Sequence, residues 1–113
     1  MQSAMDAGIP ENMIIIDPGI GFGKTFDHNL EILHRLREFT LLERPILVGV
    51  SRKAFIGKVL ENASVENRLE GTAAAVAISI MNGANIVRVH DVKEMARVAR
   101  VADAIRRMRI NNL

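Results

Sequence analysis

Three times along the chain, a run of apolar and mostly β-branched residues ends abruptly on ionisable side chains. Ile14-Ile15-Ile16 ends on Asp17, Ile46-Leu47-Val48-Gly49-Val50 on Ser51-Arg52-Lys53, and Ile86-Val87-Arg88-Val89 on His90-Asp91. Runs of this composition favour strands, and an unbroken one such as 14–16 is expected where both sheet faces are covered. Strands are therefore predicted over about 13–16, 46–50 and 86–89. In α/β proteins ligands sit beyond the carboxyl ends of parallel strands. The three polar endings thus predict one site assembled from three strand tips.

The intervening segments carry helical patterns. Asp27 is the expected N-cap of a helix reaching about Phe39, with Leu30, Leu33 and Leu36 on one face. A short helical piece is expected to end near Leu60. Ser64 is expected to cap a longer helix that buries Leu69, Ala73, Val76, Ala77 and Ile80 and stops at Gly83. Asp91 with Glu94 forms a capping-box pattern, ahead of a final helix lined by Met95, Val98, Ala99, Ala102 and Ile105. Residues 1 to about 7 read as a helix end closed by Gly8. Parallel strands joined by such helices are βα units, so the fold class is α/β. A closed (β/α)8 barrel takes about 250 residues, so a chain of 113 residues is expected to be part of a larger architecture or to complete itself by association.

Composition narrows the function. No apolar stretch reaches the ~18 residues that would span a bilayer, and no basic, apolar and small-residue leader opens the chain, so a cytoplasmic protein without a membrane partner is expected. Zero cysteines exclude disulfides and thiolate metal sites. Neither Tyr nor Trp occurs, the net charge is only +2, and the Arg106, Arg107 and Arg109 cluster suits a helix C-terminus, so no nucleic-acid partner is expected. No His or carboxylate cluster has metal-ligand spacing, and His28 and His34 read as surface residues.

The tips carry the chemistry. Gly19, Gly21 and Gly23 permit close approach of a ligand. The loop is not a P-loop, because the GxxxxGK[ST] register needs glycine where the chain has Pro18, and GxGxxG is absent as well. Asp17 suits a donor-donor edge such as an aminopyrimidinone presents, with a loop cap as its alternative role. Arg52 and Lys53 place two adjacent cations after an apolar strand, where burial calls for an anionic or polar partner, a surface ion pair being the alternative. Arg88 and His90 lie two apart on one side of an extended strand and suit an anion such as phosphate.

Taken together, Asp17-Pro18-Gly19-Ile20-Gly21-Phe22-Gly23-Lys24, Gly49-Val50-Ser51-Arg52-Lys53 and Arg88-Val89-His90-Asp91-Val92 closely resemble the C-terminal part of bacterial dihydropteroate synthase, from about residue 5 onward. The resemblance implies the last three strands and helices of a TIM-type (β/α)8 barrel, incomplete over residues 1–113. It also implies a folate-pathway transferase, the target of sulfonamides, that joins 4-aminobenzoate to 6-hydroxymethyl-7,8-dihydropterin diphosphate with magnesium. Asp17 would bind the pterin edge, Lys53 would reach pterin and aminobenzoate, and these two would be the catalytic pair. Phe22 would pack near the aminobenzoate ring, Ser51 and Arg52 would shape the same substrate-binding tip, and Arg88 and His90 would hold the diphosphate. Ala54 stands where several relatives carry a hydroxyl or basic side chain, so a carboxylate contact there does not carry over. The family's N-terminal strands, with further pterin and metal ligands, have no counterpart here. The chain alone is therefore expected to be inactive, and to form a homo-oligomer or associate with the missing half. Another pterin-barrel enzyme, such as a methyltetrahydrofolate methyltransferase, and a noncatalytic self-associating fragment are the competing readings.

Overall fold

The computed structural model describes residues 1–108. Five α-helices occur in them: α1 (Gln2–Asp6), α2 (Phe26–His34), α3 (Ala54–Val59), α4 (Leu69–Met81) and α5 (Val92–Arg106). Two short strands, β1 (Leu47–Val48) and β2 (Ile86–Val87), pair in parallel with Leu47 opposite Ile86, and a further parallel bridge joins Ile16 to Ile46. Three parallel segments thus lie side by side with helices between them in sequence, as the βα reading requires. The ladders are shorter than the apolar runs. The run expected over 13–16 narrows to a bridge at Ile16, because Met13 closes a 3-10 turn and strand pairing is available only on the Ile46 side among the described residues.

Alternation along the segments gives the sheet two different faces. Ile46, Val48 and Val50 are buried in the core with the helices and Ile14 is buried as well, whereas Ile15, Asp17, Ile86, Arg88 and His90 are exposed. The expectation that residues 14–16 are covered on both sides is therefore not met: Ile15 is 52% exposed while Ile14 is 8%. The helices cover one face, and the strand ends carry their polar side chains on the other.

The core is built where α4 and α5 pack on that covered face. Small residues on α4, among them Ala75 and Ser79, allow close approach; Val76 and Ile80 fill the space, and Met95 and Ala102 answer from α5. Leu69 and Ile105, expected inside, are 37% and 60% exposed. Arg106 donates to the carbonyls of Ile80 and Ala84, both at 3.1 Å, so the basic end of α5 satisfies acceptors at and beyond the end of α4. Arg107 instead pairs with Asp103, and Arg109 lies outside the described residues.

Two helix starts differ from expectation, and a third starts where expected but without its side-chain cap. Thr25, not Asp27, caps α2: its backbone is extended and its Oγ1 accepts from the His28 N–H, which places Asp27 in the first turn, where its charge suits the helix dipole. The helix gives way after His34 to a 3-10 segment, Leu36–Leu42. Ser64 precedes a separate 3-10 turn, so α4 begins at Leu69. Asp91 caps α5 without a side-chain bond, because its carboxylate is occupied elsewhere.

Candidate functional site

The three tips meet at the uncovered end of the sheet. Continuing the register by two residues from Leu47 and Ile86 sets Gly49 beside Arg88 and Ser51 beside His90. The side chains confirm this. A Cβ on Gly49 would stand 3.2 Å from the Arg88 guanidinium, so glycine lets that side chain lie against the neighbouring strand. Ser51, nearly fully buried, accepts from the His90 backbone N–H at 3.1 Å, and its Oγ lies 2.8 Å from His90 Nδ1. With one hydroxyl hydrogen available, Ser51 donates to Nδ1 in the tautomer that leaves Nε2–H free to donate to a ligand. Gly49, Ser51, Lys53, Arg88, Val89 and His90 line a cavity of about 400 Å³.

Arg52 is turned away from that cavity. Its backbone is left-handed, at φ 57°, and is held at both ends. The N–H donates to the fully buried Thr72 hydroxyl at 3.0 Å, and the carbonyl accepts from Arg68 at 2.8 Å. Its guanidinium grips Asp91 through two bonds, at 2.7 and 3.2 Å, which keeps the Asp91 carboxyl below its ordinary range. Of the two adjacent cations, Arg52 thus joins the second tip to the third, leaving Lys53 to face the first.

Lys53 reaches across to the glycine loop. Its ammonium donates to the Ile20 carbonyl and stands 4.6 Å from the centre of the Phe22 ring. Burial lowers its pKa from the ordinary value, and the charge of Arg88 lowers it further, against an opposing pull from Asp17. Three of the residues singled out from sequence are therefore electrostatically coupled. Asp17 itself is exposed, and one carboxylate oxygen accepts from the Gly19 N–H at 2.8 Å, so it serves as a loop cap with its second oxygen available. Beyond Lys53 a second cavity, of about 370 Å³, runs between Phe22, Phe26, Asn29 and Lys58.

Sequence reasoning missed four residues that shape this site: Asn29, Thr72, Arg68 and the pairing role of Asp91. Asn29 had a signal. It is a polar residue one turn before Leu33, on the face of α2 that enters the core.

Among the described residues, no group of three or more His, Asp or Glu is gathered as a metal site, and no helix is long and apolar enough to cross a membrane. The ionisable groups that line the two cavities are Lys24, Lys53, Lys58, Arg88 and His90, with no carboxylate among them, a poor donor set for magnesium.

The sequence model of the family described as pterin binding enzyme matches residues 1–90. The chain belongs to this family. It is 50% identical over 102 residues to dihydropteroate synthase of Bacillus subtilis, spanning 90% of this chain and 35% of that protein. Among solved structures, it is similar to a dihydropteroate synthase from Coxiella burnetii in complex with pteroic acid, at 43% identity and TM-score 0.89 over 94% of this chain and 40% of that one. It is likewise similar to dihydropteroate synthase from Stenotrophomonas maltophilia with active site-bound imidazole, at 35% identity and TM-score 0.90 over 96% and 41%. These relatives are TIM-barrel enzymes. The chain spans between a third and about two-fifths of their lengths.

Proposed function

We propose that this chain is the C-terminal part of a dihydropteroate synthase, carrying the last three βα units of its barrel and half of its active site. The observation that supports this most is the arrangement of Arg88, His90 and Lys53 around one cavity, with Lys53 also within the electrostatic reach of Asp17. In the reaction, the C–O bond to the diphosphate breaks, the 4-aminobenzoate nitrogen bonds to the pterin methylene, and that nitrogen gives up a proton. Loss of diphosphate leaves a cationic methylene stabilised by the pterin ring. Arg88 and His90 hold the departing anion, so that charge is met where it develops. Asp17 accepts from the pterin edge and fixes the ring, and Lys53 lies between pterin and aminobenzoate, with Phe22 against the aminobenzoate ring. Ser51 orients His90, and Arg52 supports the tip.

Magnesium, which the resemblance implies, would neutralise charge on the diphosphate, and its protein ligands would come from the N-terminal part of the barrel. The isolated chain lacks those groups and is inactive by itself. Its uncovered sheet face, with Ile15 and Ile86 exposed, drives pairing with a second copy or with the remaining half.

A diphosphate clamp has no task in methyl transfer, so Arg88 beside Gly49 favours the synthase over the methyltransferase reading. The test is calorimetric titration of the purified chain with a 6-hydroxymethylpterin. Binding that is lost in Asp17→Ala and kept in Arg88→Ala supports the assignment. Binding that both variants retain contradicts it.

A further inference from the structure

We propose that Asn29 is a positioning residue for Lys53, acting through the single peptide group that joins Ile20 to Gly21. The two ends of that group are held by different side chains. Its N–H donates to Asn29 Oδ1 at 2.8 Å, and its carbonyl oxygen accepts from Lys53 Nζ. A peptide group is planar, so fixing the direction of the N–H fixes the opposite direction of the C=O. Asn29 therefore decides where the acceptor for Lys53 points.

Gly21 makes such a fixture necessary. Its φ of +87° is one that residues with a Cβ rarely adopt, and a Cβ there would meet Lys53 Cδ at 2.9 Å. Glycine is thus required for the lysine stem to lie across the loop. The same absence of a side chain leaves the flanking peptide free to rotate at little cost. The Phe22 N–H bond to the Gly19 carbonyl closes a β-turn in which this peptide is the central one, and because a glycine at that place admits either orientation of the central peptide, the turn alone does not choose between them.

Asn29 supplies it from a rigid base. It is only 5% exposed, on α2, whose Leu33 is anchored in the core. A buried amide on an apolar helix face costs stability unless its polar atoms are used, and here the oxygen is used on the loop. The chain of contacts runs from α2 through Asn29, the 20–21 peptide and Lys53 to the Phe22 ring. The catalytic meaning of Lys53 rests on the function proposed above, but its dependence on Asn29 does not.

The test uses the whole chain and two readings. Hydrogen exchange of the Gly21 amide reports the Asn29 bond. The rate of Lys53 acylation by a limiting amine-selective reagent, followed by mass spectrometry relative to exposed Lys93, reports whether the ammonium is held. In Asn29→Ala, Gly21 exchange is expected to rise about fivefold, the loss of one ordinary hydrogen bond, and Lys53 acylation to rise with it. Asn29→Asp keeps an acceptor oxygen and is expected to hold both readings near those of the unaltered chain. If the alanine variant loses its cooperative melting transition, Asn29→Ser, too short to reach Gly21, takes its place with the same expectation. An unchanged Gly21 amide, a freed Gly21 with unchanged Lys53, or an aspartate variant as reactive as the alanine one each overturns the proposal. Failure of the unaltered chain to bind a pterin would count against the proposed function and leave this result standing.

Discussion

The second and third strand tips are locked to each other by side chains, whereas the first tip is tied in through its backbone. Ser51 bonds His90 twice and Arg52 grips Asp91, so His90 and the backbone that carries it are set before any ligand arrives. The glycine loop of the first tip holds its shape through Asp17 on its own Gly19, Asn29 on Gly21 and Lys53 on Ile20. Preorganisation is therefore uneven. The part proposed for the diphosphate is built in advance, while the part proposed for the two rings depends on a loop with three positive-φ glycines.

That contrast can be broken from either side. The largest effect is expected for Thr72→Val, which keeps the shape but leaves the Arg52 N–H, in a left-handed residue, without its buried acceptor; a loss of about 1–3 kcal/mol is expected for such an orphaned donor, read by chemical denaturation. The equivalent blow to the first tip is Gly21→Ala. Forcing a Cβ into the left-handed region costs roughly 1–2 kcal/mol, and the displaced Lys53 stem should shift the Phe22 ring resonances, with little change in those of His90.

Acid separates the tips in a milder way. The Asp91 carboxyl is held below its ordinary 3.8 by its bonds to Arg52. A depressed carboxylate stabilises the fold above its unfolded value, and that contribution disappears as pH falls below 3.8 through the folded value. Thermal melts of the unaltered chain and of Asp91→Asn should accordingly converge as pH drops through this window and diverge above it. The smallest effect is expected at Gly49→Ala. Its backbone tolerates alanine, but the new methyl would crowd Arg88 by a few tenths of an ångström, so melting should hardly change while diphosphate affinity falls severalfold.

Much of this was legible in the sequence because tips and strands obey short-range rules. Apolar runs ending on charge announced where Asp17, Lys53, Arg88 and His90 would gather, and the two-residue spacing of Arg88 and His90 placed them on one side. What escaped depends on distant partners. Asp91 and Glu94 have the spacing of a capping box, yet Arg52, 39 residues away, takes the carboxylate. Nothing local in Ser51-Arg52-Lys53 reveals that the middle residue turns left-handed and points its cation elsewhere; that follows from Thr72 and Arg68 on its backbone. The three isoleucines at 14–16 likewise predict a doubly covered strand, but only one face is covered by helices in this chain.

The most direct test of a prebuilt anion site is calorimetric titration of the chain with inorganic diphosphate, compared with Arg88→Ala and Asp17→Ala at neutral and alkaline pH. Measurable binding is expected, weakened about tenfold or more in Arg88→Ala, as for loss of a charged hydrogen bond, and little affected in Asp17→Ala. Because burial and Arg88 lower the Lys53 pKa, the ammonium loses its charge before the ordinary 10.5, so affinity should decline as pH climbs toward that value. Diphosphate binding that is indifferent to Arg88, or no binding by a folded chain, would contradict an anion site assembled by the second and third tips alone.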